Sequence, residues 1–122
     1  MSTTETTTRY SECLSASWLS TRLGIDTARI DALRRGGELI AVRPPGSAEW
    51  LYPAWQFEGN RRRASVPRVV AAAREAGLDE GRLYEVLLMR IGLGGDKRLV
   101  DLLVAGEDDQ VVAAVRQSSP RG

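Results

Sequence analysis

Histidine is absent from this chain of 122 residues, and cysteine occurs once, at Cys13. Both scarcities exclude chemistry. Without histidine, neither a Cys/His zinc site nor a Ser-His-Asp or Cys-His catalytic arrangement can be assembled within one chain, so neither an enzyme nor a metal site is expected. A lone cysteine rules out an intrachain disulfide and fits a reducing, cytoplasmic compartment. No apolar run approaches the roughly 18 residues that would indicate a membrane span. The Ser/Thr-rich start has no apolar segment of the kind a secretory signal needs. Net charge is scarce too: 17 basic and 16 acidic residues leave +1, which gives no global attraction for nucleic acid.

What remains is ordinary globular material, 43% hydrophobic and 27% charged, enough for one compact domain or two very small ones sharing a core. Residues 1–13 read as a flexible polar tail. Pattern begins at Leu14. Ser15 is placed to cap a short helix and Gly24 to end it, with Trp18, Leu19 and Leu23 as its buried face. Gly24-Ile25-Asp26 then forms a turn, and Asp26 can cap a second helix over 27–35 that points Ile30 and Leu33 inward. Gly36-Gly37 stops it. Two β-prone runs follow, 39–43 and 50–52, separated by a Pro/Gly segment, which predicts a hairpin.

Two short helices joined at a tight turn, then a glycine stop and a hairpin, describe a winged helix-turn-helix. The passage Leu23-Gly24-Ile25, Ile30, Leu33, Gly37-Glu38-Leu39-Ile40-Ala41-Val42-Arg43 and Trp50-Leu51-Tyr52-Pro53 resembles the excisionase and MerR-type winged helix-turn-helix. The resemblance implies a DNA-binding domain over 14–57, with the second helix in the major groove of double-stranded DNA. On that helix Arg29 is the candidate for reading a guanine edge, because a guanidinium fork matches O6 and N7. Thr27 is placed for phosphate at the helix start. Arg34 and Arg35 at the helix end, Arg43 on the wing and the run Arg61-Arg62-Arg63 are candidate phosphate contacts. Asp31 brings a negative charge to the same face, and Ala28 and Ala32 offer it little hydrogen bonding. The charge distribution fits the reading: residues 14–63 carry eight arginines against five acids, and residues 64–122 carry eight basic groups against nine acidic ones.

Residues 58–65 read as a linker, and everything beyond as a helical dimerisation or partner-binding domain over 66–122. Pro67 suits a first helical position, and Val66, Val69, Val70 and Ala73 make one stripe. Leu83, Val86, Leu87, Leu88 and Ile91 predict a central helix opened by Asp79 or Glu80. Leu99, Leu102 and Leu103 mark a short helix, and Val111, Val112 and Val115 the last one. Leu93-Gly94-Gly95 followed by Asp101-Leu102-Leu103 resembles the toxin-binding domain of Xre/MbcA/ParS-type antitoxins. That resemblance implies a homodimer, a toxin-like protein partner, and a contact set of Leu93, Gly94, Gly95, Asp101, Leu102, Leu103 and Arg116.

The expected architecture is mainly α with a small β-hairpin wing: a winged helix-turn-helix followed by a short-helix bundle. The expected function is a small DNA-binding regulator, an antitoxin in its sharpest form, with no cofactor. The alternative is a protein-interaction module that keeps the helix-turn-helix shape without reading DNA.

Overall fold

In the computed structural model, residues 10, 12–91, 95 and 97–118 are described. The fold is mainly helical, with small antiparallel strand pairs. Strand β1 (Cys13–Ser15) pairs with β2 (Leu51–Pro53) in the register Cys13 to Pro53, Leu14 to Tyr52 and Ser15 to Leu51. Ser15 closes the strand and opens helix α1 (Ala16–Leu23), its hydroxyl accepting the Trp18 amide at 3.1 Å. Gly24, at φ 71°, takes the left-handed position that ends this helix. Asp26 then caps α2 (Thr27–Arg35) by accepting the Arg29 amide at 2.8 Å. Both helices, their caps and the turn between them lie where local residue chemistry puts them.

The expected hairpin is reduced to a single bridge, Val42 to Leu51. Pro44 and Pro45 remove backbone donors where a longer ladder would need them. The other edge of β2 is taken by β1, a strand too short to show any periodicity in the sequence. Residues 39–42 still alternate as an extended chain does: Leu39 and Ala41 enter one apolar cluster and Ile40 enters another. Ile40 lacks a strand partner, and the side chain of buried Gln56 replaces one. Its carbonyl accepts the Ile40 amide at 2.7 Å, and its amide donates to the Ile40 carbonyl at 2.7 Å and to Pro53 at 3.1 Å.

The expected linker is ordered. After a 3-10 turn (Ala54–Gln56), strands β3 (Phe57–Glu58) and β4 (Arg61–Arg62) form a hairpin turning at Gly59, φ 64°. The Arg63 amide then bonds Gln56 at 2.8 Å, and Ser65 is buried. Helix α3 (Val66–Glu75) packs mainly on α6 (Asp108–Gln117), with α4 (Glu80–Leu88) and α5 (Leu99–Val104) completing the bundle. The central helix stops at Leu88 instead of running to Ile91, which lies in β5 (Arg90–Ile91) paired with β6 (Lys97–Arg98).

Among the described residues the apolar interior has two clusters. The smaller holds Leu19, Ile30, Leu39, Ala41 and Tyr52; the larger is built from the valine and leucine stripes of α3 to α6 and also takes in Ile40. Tyr84 ties the N-terminal strand to the bundle. It is fully buried, its ring lies 5.7 Å from that of Tyr10 and 6.5 Å from that of Trp55, and its hydroxyl accepts the Cys13 thiol at 3.5 Å. Burial pushes both the Cys13 thiol and the Tyr84 hydroxyl above their ordinary pKa values, so both stay protonated. Arg98 holds Glu12 at 2.9 and 3.3 Å. The expected tail therefore does not run through residue 13, because Tyr10 and Cys13 are half-buried and exposed Glu12 is ion-paired; residues 1–9 and 11 lie outside the described residues. No helix among the described residues is long and apolar enough to cross a membrane.

Candidate nucleic-acid interface

Helix α2 buries Ile30 and leaves Thr27, Ala28, Arg29, Ala32 and Arg35 exposed on its outer side. Asp31 is the one acid on this helix, and the helix neutralises it internally. Arg34 reaches it at 2.6 Å from the i+3 position and Arg35 at 3.0 Å from i+4. The hydrogen bond from Arg34 is the main reason the Asp31 carboxyl is held below its ordinary pKa. Asp31 accordingly serves as an internal clamp for two arginines and adds no uncompensated negative charge to the face.

Arg34 differs from the expected free phosphate contact. Its side chain is only 13% exposed, and its guanidinium lies 4.1 Å from the centre of the Trp50 ring. Arg43, on the far side of the 44–50 loop, approaches the same ring at 5.0 Å. Trp50 thus draws the end of α2 and the start of the loop to one aromatic platform, where a cation over an indole face is favourable. This grouping was not legible in the sequence, because Trp50 is separated from Arg34 by 16 positions with no helical or strand period to relate them.

The arginine run divides three ways. Arg61 is exposed with no ion pair among the described residues, Arg62 is held by Glu38, and Arg63 is half-buried with its Nε donating to the Trp55 carbonyl at 2.8 Å. Alternation along β4 separates Arg61 from Arg62, since neighbouring residues leave a strand on opposite sides, and Arg63 lies beyond the strand. Of the residues expected to touch DNA, Thr27, Arg29, Arg35, Arg43 and Arg61 are exposed. Asp31, Arg34, Arg62 and Arg63 are engaged within the chain, and exposed Arg35 is engaged too, through its pair with Asp31. A third stacked arginine, Arg22, lies 5.0 Å from the Trp18 ring and donates to Asn60 at 3.0 Å, linking α1 to the β3–β4 turn.

The residues assigned to a protein partner are mostly used internally. Leu103 is 1% exposed and belongs to the larger core, which corrects its assignment as a contact residue. Asp101 accepts the Arg98 amide at 2.8 Å and so caps α5, while Leu102 packs half-buried against the core. Gly95, at φ 64°, accepts from Arg90 at 3.1 Å, and exposed Arg116 meets Glu75 at 3.5 Å. Leu93 and Gly94 lie outside the described residues.

No protein-family model and no curated protein matches the chain. Among solved structures it is similar to the NMR structure of Rv2175c, with a TM-score of 0.73 at 20% identity over 88% of this chain and 80% of that one. The likeness is one of fold. At this identity it assigns no ligand, so the site rests on the geometry above.

Proposed function

We propose that this chain is a small DNA-binding regulator of the winged helix-turn-helix type, with α1 and α2 as the helix pair and the 44–50 loop as the wing. The observation that carries the reading is the Trp50 platform, which sets Arg34 of α2 and Arg43 at the foot of the loop around one ring. Docking a helix in the major groove with a wing along the backbone needs those two elements side by side. The uncovered side of α2 supports it, because its exposed charges are Arg29 and Arg35 and its acid is neutralised from within. Arg29 reads base edges, Thr27 meets phosphate at the helix start, and Arg35, Arg43 and Arg61 supply charge along the backbone.

So few free cations give weak contact per subunit, which two copies on a paired site would offset. The test is a mobility-shift titration on DNA flanking the chain's own gene, repeated across a salt series. Affinity falls as salt rises, and Arg61→Ala lowers the slope by about one without altering sequence preference. Absence of any shift at low salt would sink this reading in favour of an interaction module. A toxin partner is not proposed, since Asp101 and Leu103 serve the bundle itself.

A further inference from the structure

The last turn of a helix leaves carbonyl groups without partners inside that helix. In α2 the chain just beyond the helix meets those of Ala32, Leu33 and Arg34 through the amides of Gly36, Glu38 and Gly37, and Arg74, on α3, donates from outside to the Arg35 carbonyl at 3.2 Å and, more weakly, to the Arg34 carbonyl at 3.5 Å. A cation at this end also opposes the negative pole of the helix. Gly37 leaves room for the approach. At φ 81° it turns the chain out of the helix, and a Cβ there would stand 3.1 Å from the Arg74 guanidinium and 3.7 Å from Val70. Apolar packing is incomplete here, since a cavity of about 80 Å³ opens between the elements, lined by Arg34, Ile40, Val70, Arg74 and Leu83 among others. The end of α2 is therefore held to α3 by the Arg74 hydrogen bonds, beside the anchoring of Ile40 a few residues later in the larger core.

We propose that Arg74 is a positioning residue: it fixes the pose in which α2 is presented from the helical half, so that the helical half controls DNA engagement without touching DNA. The control of DNA binding rests on the reading given under Proposed function; the mechanical link between α3 and α2 does not. A shift or covering of α3 would release the end of α2 and weaken every contact along its outer face together.

The experiment compares the full-length chain with Arg74→Gln and Arg74→Lys by amide hydrogen exchange and by mobility shift over a salt series. Arg74 is exposed on α3, and exchange of the α6 amides serves as the internal reference that each variant keeps its fold. In Arg74→Gln the amides at the end of α2, Gly36 to Glu38, exchange roughly tenfold faster, while those of α6 are unchanged. DNA affinity falls roughly tenfold with an unchanged salt slope, because no phosphate contact is lost. Arg74→Lys recovers part of both effects. Unchanged exchange at the end of α2 would overturn the proposal, as would a slope reduced by about one, which would make Arg74 a phosphate contact. If the unaltered chain fails to shift DNA, the regulator reading fails and takes the control with it, while the exchange data still decide the link.

Discussion

The two halves of the molecule hold themselves together differently. The helical half buries four helices' worth of Val and Leu stripes in one continuous core, from Val66 to Val115. The first half has a core of only five buried residues and fills out its surface with arginines laid over tryptophans, Arg22 on Trp18 and both Arg34 and Arg43 on Trp50. A small core buries too little area to be secure alone. It borrows from its neighbour through Ile40 in the larger cluster, Tyr84 packed against Tyr10 and Trp55, and Arg74 at the end of α2. An element that leaves a whole helix face uncovered gives up the burial that would otherwise stabilise it, and a second element must supply it.

The severest way to break this contrast is to cut it. A fragment ending at Ser65 loses the socket of Ile40 and every contact to Tyr84, and thermal melting followed by circular dichroism is expected to show no cooperative transition. A sharp melt from that fragment would mean that the first half stands alone. Within the intact chain, Leu87→Ala at the centre of the larger core should cost about 3–4 kcal/mol in denaturant unfolding, and Leu19→Ala about 2–3 kcal/mol, because the open rim of the small core can relax into the gap. Reversed costs would invert the comparison. Gln56→Leu preserves side-chain volume but leaves the buried amide and carbonyl of Ile40 unpaired, and should cost about 2–3 kcal/mol.

The smallest effect concerns Asp31. Its carboxyl is held below the ordinary value of 3.8, so the stability it contributes is fully present above that pH and is lost as pH falls through the lower folded value. Asp31→Asn should therefore melt below the unaltered chain at neutral pH, and the gap should close only in strong acid. A gap independent of pH would show that the Arg34 and Arg35 pairs add nothing.

Much of this was readable residue by residue. Ser15, Asp26 and Asp79 cap helices as their type and place in the sequence imply, and the inward stripes of α3, α4 and α6 follow the helical period. What escaped notice was non-local. The strand at Cys13–Ser15 is too short to carry a period, and the chain at 58–65 looks like a joint because Gly59 and Asn60 are turn residues; they serve a hairpin instead. The candidate interface was legible as a set of exposed positions on α2, but which arginines are free was not. Arg29 and Arg34 look alike in the sequence, and a tryptophan 16 positions further on separates their fates.

Residue chemistry acting over a few positions thus sets where this chain makes and ends its helices, which faces are apolar, and the absence of the histidines that common catalytic and zinc sites require. Three-dimensional packing alone assigns Ile40 to the neighbouring core, gives Gln56 the task of a missing strand, and spends Arg34, Arg62, Arg63 and Arg74 on internal contacts. The reason is that a buried polar group or a stacked cation is defined by what lies against it, and here those partners come from elements up to 40 residues away.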